Sequence, residues 1–187
     1  MRLIPLAALS ALLLTGSCRS DSTSDAPLLL DVDSLLAEGL KDVAQIRKTT
    51  WLDADSALAE YAVTEAAQEA EVFSMLREVN KPVLRERYSD VTGPDPQSNL
   101  RLRTLTGLDS GASVRMMRIF LHPDRNVIMR LEADIRKSNL LFRKHERISL
   151  EYDPDGSRII LSELSGFQKV AWLQADAYRM RARYIYP

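Results

Sequence analysis

Three arginines, Arg179, Arg181 and Arg183, alternate with other residues near the end of the printed sequence. In a strand, alternate side chains share a face, so the three guanidinium groups would stand about 6.5–7 Å apart. Guanidinium binds phosphate and carboxylate through paired hydrogen bonds, which makes the row a candidate anion- or ligand-binding site. Arg101 and Arg103 repeat the spacing and are predicted to lie on the same sheet. The alternative is a solvated face, with each arginine paired to an acidic neighbour.

Metal and cofactor chemistry has little support in the sequence. A zinc site needs three or four nitrogen, sulfur or oxygen ligands at compatible spacing, and the two histidines, His122 and His145, stand far apart. We therefore expect both to be solvated, and we expect no metal and no cofactor. The Asp153-Pro154-Asp155-Gly156 segment begins like a calcium loop but lacks the later ligands, so it is interpreted as a hairpin turn.

Catalysis by a serine or by paired carboxylates is also not indicated. Ser110-Gly111 and Ser165-Gly166 are interpreted as turns, and neither belongs to a Gly-x-Ser-x-Gly elbow. Glu132 and Asp134 share a strand face next to arginines, which favours cross-strand ion pairs. The prediction is a protein that is not an enzyme. The alternative is a hydrolase whose site is assembled from residues far apart in the sequence.

The N-terminal stretch predicts export and a lipid anchor. Met1-Arg2 is followed by a 12-residue apolar run, Leu3 to Leu14, and then by Thr15-Gly16-Ser17 and the single cysteine, Cys18. The run is too short to span a bilayer but has the layout of a signal peptide. The order Leu14-Thr15-Gly16-Ser17-Cys18 resembles the lipobox of bacterial lipoproteins, although the preferred leucine stands one position early.

The resemblance implies cleavage before Cys18 and the addition of a diacylglyceryl thioether and an N-acyl chain, such as palmitate, to that residue. Several acyl chains are needed for lasting membrane attachment. In enterobacterial lipoproteins an Asp after the cysteine favours the inner membrane, so Arg19 implies the outer membrane, facing the periplasm. Residues 19–27 are small and polar, as in a flexible linker. Nucleic acid is not an expected partner of such a protein.

Composition indicates one globular domain of ordinary character. About 169 residues follow Cys18, with 45% hydrophobic and 27% charged residues in the whole chain. The formal net charge of −1 hides an asymmetry, because residues 19–96 carry 8 basic and 16 acidic side chains, whereas residues 97–187 carry 16 and 10. Either the two halves pack against each other, or the basic half faces an anionic component of the cell envelope.

Helices are predicted in the acidic half, over residues 28–88. Asp33-Ser34 is a helix start signal, and the apolar spacing that follows predicts a helix over 33–48. Residues 56–79 lack Gly and Pro and are rich in Ala, Glu and Leu, which predicts one long helix with its glutamates solvated. The piece from 83 to 88 is ambiguous, and 89–98 is interpreted as a turn-rich connector.

An antiparallel meander of about six strands is predicted over residues 99–187. Apolar and polar residues alternate with a period of two, and Gly, Pro, Asn and Asp mark the turns between the segments. The predicted strands lie around Leu100 and Leu102 and over 113–122, 127–136, 141–152, 158–164 and 178–186.

The predicted architecture is a single α+β domain, residues 28–187, in which a curved sheet packs on the long helix. In outline this is similar to the half-barrel lipoprotein carriers of the envelope and to cystatin-like and nuclear-transport-factor-like folds. The predicted function is a non-enzymatic, lipid-anchored envelope protein that binds a protein partner or an amphipathic lipid. The alternative is a carrier of lipid or lipopolysaccharide, with an apolar cavity under the sheet.

Overall fold

The computed structural model describes residues 28–52, 55–62 and 66–187, so the predicted signal peptide, Cys18 and the linker lie outside the described residues. These ranges are mostly sheet, with a few short helices. The strands are β1 Gln45–Leu52, β2 Asp55–Ala62, β3 Tyr88–Pro94, β4 Arg101–Gly107, β5 Val114–Leu121, β6 Ile128–Ser138, β7 Phe142–Tyr152, β8 Ile159–Val170 and β9 Ala175–Ile185. The helices are α1 Val32–Gly39, α2 Ala66–Glu71, the 3₁₀ helix Ser74–Asn80 and α3 Pro82–Arg85.

All nine strands form one antiparallel sheet in the order β2-β1-β9-β8-β7-β6-β5-β4-β3. Strands β3 to β9 are sequential neighbours, and β1 joins them by pairing with the last strand, with Ile46 opposite Tyr184. Alternate side chains of each strand point to opposite faces of the sheet. One face packs against the helices and is called the covered face. The other is called the open face.

The core lies between the covered face and the helical segments. Phe73, Leu76 and Val79, from the segment that includes the 3₁₀ helix, are fully buried against strand residues such as Leu131 and Leu150. The space under this part of the sheet is therefore filled by the protein's own side chains. Removing these side chains from water supplies the main stabilisation of such a fold.

The helix predicted over 33–48 is wrong beyond its first two turns. Helix α1 ends at Gly39, where a Cβ atom would stand 2.7 Å from Ile159 Cγ1. Asp42 then has a φ of 59°, which turns the chain back toward the sheet. Residues 45–52 form β1, because its β-branched side chains suit a strand and β9 offers it a hydrogen-bonding edge.

The long helix predicted over 56–79 is also wrong. The segment contains β2, α2 and most of the 3₁₀ helix, and β2 occupies the edge of the sheet beside β1. Leu58, which the helix prediction placed among the apolar positions, is 68% exposed. Helix propensity amounts to less than about 1 kcal/mol per residue for ordinary residues, and tertiary pairing routinely overrides it.

The prediction of a turn-rich connector over 89–98 is also wrong in its first part, since Tyr88–Pro94 forms strand β3, which pairs with β4. Strands β4 to β9 occupy the segments in which six strands were predicted, and β8 extends six residues further, to Val170. The α+β class is therefore wrong. The fold is a nine-stranded antiparallel sheet with short helices on one face, and within the described residues no helix is long and apolar enough to cross a membrane.

Candidate functional site

The three arginines of β9 lie together on the open face. Their neighbours in the strand, Met180, Ala182 and Tyr184, are buried on the covered face. Alternation therefore turns every arginine of the row outward. We call Arg179, Arg181 and Arg183 the arginine ladder.

One carboxylate contacts two arginines of the ladder. Glu163, on the neighbouring strand β8, has one oxygen 3.1 Å from Arg181 Nε and the other 3.5 Å from Arg179 Nη2. Arg183 stands opposite Arg47 of β1 in the register of the sheet. Arg47 is bound by Glu60 at 3.1 Å, whereas Arg183 makes no ion pair with any residue that the structure describes. The ladder therefore keeps an excess of positive charge.

An aromatic ring supports the outer end of the ladder. Trp51 of β1 is directly opposite Arg179, and the guanidinium carbon lies 5.4 Å from the centroid of its ring. This distance permits a cation–π contact, which orients the guanidinium over the ring. Arg179 is thus held in place from two sides, by Trp51 and by Glu163.

The whole open face carries more positive than negative side chains. Strand alternation and register place nine arginines there: Arg47, Arg118, Arg130, Arg136, Arg143, Arg147, Arg179, Arg181 and Arg183. They face five carboxylates: Glu60, Glu132, Asp134, Glu151 and Glu163. The basic excess that the sequence assigned to the second half of the chain is therefore concentrated on one surface.

A depression of about 500 Å³ lies on the open face beside the ladder. Ser149 and Ser165 line it at the centre of the sheet, together with charged side chains of both signs and with the apolar residues Met116, Ala133 and Ile148. Glu163 lines the depression and also contacts the ladder. The depression offers room for a polar group of a bound partner.

The carboxylate of Asp134 at this depression is held by its neighbours. His145 Nε2 lies 2.7 Å from one oxygen, and Arg136 Nε lies 2.9 Å from the other. Burial alone would raise the pKa of Asp134, but the hydrogen bonds from His145 and Arg136 outweigh it and lower the pKa. The His145 ring also meets Phe167 edge-on at 5.8 Å. His145 is therefore a cross-strand partner that is only 22% exposed, contrary to the expected solvation.

Other residues considered for chemistry have structural roles. His122 Nδ1 accepts hydrogen bonds from the amides of Asp124 and Arg125 in the β5–β6 turn. Ser165 and Gly166 lie inside β8, so their interpretation as a turn is wrong. Asp153 accepts three hydrogen bonds from Ser157 and Arg158 in the β7–β8 turn. Across the described ranges, no three His, Cys, Asp or Glu side chains are arranged to hold a metal ion.

Arg101 and Arg103 do not join the ladder. They lie on β4, which four strands separate from β9, and they point to the covered face with Leu105. Arg103 bonds both oxygens of Asp90 and donates to the carbonyl oxygen of Leu29 at 2.7 Å. Arg103 thus fixes the segment around Leu29 against the sheet.

Two buried glutamates were missed by sequence reasoning. Glu69, predicted to be solvated, is 6% exposed; it lies 2.6 Å from Lys48 Nζ and accepts a 3.1 Å hydrogen bond from the Tyr184 hydroxyl. Glu146 accepts a 2.6 Å hydrogen bond from Tyr178, and its second oxygen is buried with no hydrogen-bond partner among the described residues. No local pattern could reveal these sites, because their partners come from distant strands.

Comparison with known protein families, with curated proteins and with solved structures found no match.

Proposed function

We propose that the protein is a lipid-anchored component of the cell envelope, held through Cys18 on the periplasmic side of the outer membrane. Its domain is a non-enzymatic binding module, and the arginine ladder on the open face binds an anionic partner. The observation that carries this proposal is the excess of guanidinium groups: Arg179 and Arg181 share Glu163, and Arg183 has no carboxylate partner among the residues that the structure describes.

The spacing of the ladder suits a partner with several negative groups. Arginine presents a rigid fork of donors that matches the oxygens of phosphate and carboxylate, and three such forks repeat along β9. Arg47 and Arg183 bring two like charges opposite each other across β1 and β9. Like charges in this position destabilise a sheet, and an anion bound between them would relieve the repulsion. The partner is thus a chain or surface that bears phosphate or carboxylate groups.

The described residues support binding rather than catalysis. On the open face the carboxylates of Asp134, Glu132 and Glu163 each contact one or more arginines. A catalytic acid or base must instead reach a substrate within hydrogen-bond distance in a cleft. The two histidines are bound by a carboxylate and by backbone amides. These carboxylates and histidines therefore make contacts that stabilise the sheet and its turns.

The packing also favours surface binding over carriage of an internal cargo. A carrier needs an apolar cavity of about 300 Å³ or more. Leu36, Phe73 and Leu76 fill the space beneath the central strands and are fully buried. Each of the four cavities described lies instead on the open face or near the ends of strands. We therefore prefer the partner-binding function to the lipid-carrier alternative.

The segment that follows the proposed lipid anchor joins the domain at a fixed point, Leu29 and Leu30. The amides of Leu29 and Leu30 donate to Asn80 Oδ1 at 3.1 and 3.3 Å, and Arg103 binds the Leu29 carbonyl oxygen. From Cys18 to residue 28 the chain can span at most about 35 Å. In the proposal this segment keeps the domain within reach of the membrane surface while leaving the open face accessible.

The proposal is tested by titrating fluorescently labelled polyphosphate with the protein and recording fluorescence anisotropy. The double variant Arg181→Gln/Arg183→Gln should bind about tenfold more weakly, which corresponds to about 1.4 kcal/mol. The control Arg87→Gln/Arg125→Gln removes the same charge from the ends of strands and should change the affinity less than about twofold. Absence of binding by the unmodified protein, or equal weakening in both variants, would contradict a specific role for the ladder.

A further inference from the structure

Two neighbouring hairpins carry large apolar side chains at one end of the sheet. The β6–β7 turn presents Leu140 and Leu141, which are 99% and 56% exposed, and the β8–β9 turn presents Trp172 and Leu173, which are 93% and 64% exposed. The two turns are joined by a 2.8 Å hydrogen bond from the amide of Ala171 to the carbonyl of Leu141. We call Leu140, Leu141, Trp172 and Leu173 the apolar tip.

The apolar tip is unusual for a hairpin end. Gly, Asn, Asp, Ser and Pro normally occupy turns, because they suit the backbone conformations and face water. Trp172 has a φ of 66°, a left-handed conformation that is strained for a bulky residue. The backbone thus accepts strain at the position that holds the indole ring in solvent. Such strain is found mainly at functional positions.

Positive charge lies directly behind the apolar tip. Arg143 of β7 and Lys169 of β8 stand opposite each other in the register of the sheet. Neither forms an ion pair with any residue in the described ranges. At the ends of β6 to β9 next to the apolar tip, the one carboxylate is that of Asp176, which stands opposite Gln168 in the register. Both cations also line a cavity of about 380 Å³ with Leu140 and Leu141.

We propose that the apolar tip docks on the surface of a lipid bilayer that contains anionic headgroups. The leucines and Trp172 enter the boundary between headgroups and acyl chains, where tryptophan is enriched in membrane proteins. Arg143 and Lys169 then lie at the level of the phosphates, where basic residues gain from the negative surface potential. The apolar side chains thus reach the boundary of the acyl chains and the cations reach the phosphates, which is the order of these two layers in a bilayer.

The charge complementarity and the shape of the tip favour a bilayer over a protein partner. Apolar side chains project from two adjacent turns, and behind them stand Arg143 and Lys169, which form no ion pair among the described residues. A bilayer with acidic lipids complements this arrangement, with phosphates above an apolar layer. The inference goes beyond the proposed function, because it needs neither the arginine ladder nor the lipid on Cys18.

The test uses the full chain with Cys18→Ser, which removes the proposed lipid, and with Trp51→Phe. Trp172 is then the single tryptophan, since the sequence has two. Vesicles of phosphatidylethanolamine and phosphatidylglycerol with brominated acyl chains should quench the Trp172 emission and shift it to shorter wavelength. Vesicles of phosphatidylcholine alone should bind about tenfold more weakly. Unchanged Trp172 emission at saturating anionic lipid would overturn the proposal.

Variants separate the apolar tip from other surfaces. In this background Leu140→Ser/Leu173→Ser should weaken vesicle binding about tenfold, and Arg143→Gln/Lys169→Gln should weaken it only for anionic vesicles. The control Leu58→Ser/Val91→Ser changes two residues that are 68% and 64% exposed on the edge strands, and it should bind as before. Equal binding by all of these variants would mean that another segment, such as residues 3–14, contacts the lipid, and would overturn the proposal.

The arginine ladder provides the last comparison. Arg181→Gln/Arg183→Gln should leave the quenching of Trp172 unchanged within about twofold, even though it weakens binding to polyphosphate about tenfold. Loss of polyphosphate binding alone therefore concerns the proposed function, and loss of Trp172 quenching alone concerns the apolar tip.

Discussion

At the scale of single residues, the buried tyrosines of the covered face differ in what their hydroxyl groups contact. The Tyr184 hydroxyl lies 2.9 Å from Ser162 Oγ and 3.1 Å from Glu69. The Tyr152 hydroxyl is buried and has no hydrogen-bond partner in the part of the chain that the structure describes. A buried polar group without a hydrogen bond costs free energy, whereas a satisfied one contributes about 0.5–1.5 kcal/mol. Tyr184 and Tyr152 are 4% and 6% exposed, so substitution of each separates the effect of the hydrogen bonds from the effect of burial.

Tyr184→Phe should lower the free energy of unfolding by about 1–3 kcal/mol, because it leaves Ser162 and Glu69 without their buried partner. Tyr152→Phe should leave the stability unchanged or raise it slightly. Urea unfolding followed by circular dichroism measures both. A larger loss in Tyr152→Phe than in Tyr184→Phe would contradict the hydrogen bonds described for the covered face.

Asp134 supplies a pH-dependent contribution on the open face. Its pKa in the folded protein is lowered by His145 and Arg136 against the opposing effect of burial. The carboxylate therefore contributes stability that is present above the unfolded pKa of about 3.9 and is lost as pH falls through the lower folded pKa.

Asp134→Asn should reduce the free energy of unfolding by about 1–2 kcal/mol at pH 7, because hydrogen bonds to charged partners are lost. The difference from the unmodified protein should shrink below about pH 4. Urea unfolding over a pH series measures this. Asp155→Asn is the control, since its side chain is 83% exposed and pairs with Arg125 at 3.4 Å. A difference for Asp134→Asn that does not vary with pH would contradict the account.

At the scale of elements, Gly166 shows how closely neighbouring strands approach in the sheet. A Cβ atom at this position would lie 2.4 Å from the His145 carbonyl oxygen and 3.1 Å from the Tyr178 hydroxyl. The missing side chain therefore leaves room for Tyr178 to reach Glu146 across β8. At Gly93 in β3, by contrast, no atom lies within 4 Å of an added Cβ.

Gly166→Ala should destabilise the protein by about 1–3 kcal/mol, the range for overpacking in a closely packed site. Gly93→Ala should change the stability by less than about 0.5 kcal/mol, as surface substitutions usually do. Thermal and urea unfolding of the two variants provide the comparison. Similar stabilities for both would contradict the close approach of β7, β8 and β9.

The elements that the sequence could predict are those with local signals. Strands β4 to β9 alternate apolar and polar residues between turn residues, so their segments were predicted. The sequence predicts the end of a helix where strand β1 lies, because its strand character depends on pairing with β9, more than 120 residues away. The sequence does not predict strand β2, because its alanine-rich sequence favours a helix in isolation.

The candidate site was predictable to a similar extent. The period of two in Arg179, Arg181 and Arg183 was enough to place them on one face. It could not show that Glu163 bridges two of them, because that contact depends on the register of β8 against β9. Nor could it show that Leu140 and Trp172 lie at one end of the sheet, since these two residues are 32 positions apart in the sequence.

At the scale of the whole molecule, three surfaces have different characters. The covered face is packed with apolar side chains and helices, the open face carries the excess of arginine, and one end of the sheet presents the apolar tip. A domain tethered through Cys18 and resting on its tip would present the ladder beside the membrane surface. This combination links the proposed anchor to the proposed binding module.

The proposed anchor is tested most directly by the mass of the protein extracted from envelope membranes. We expect a mature chain that begins at Cys18 and carries a diacylglyceryl group and a third acyl chain on that residue. The same measurement on Cys18→Ser should find neither cleavage at this position nor lipid. A wild-type chain with an unmodified Cys18 thiol would contradict the lipid anchor and, with it, the assignment to the envelope.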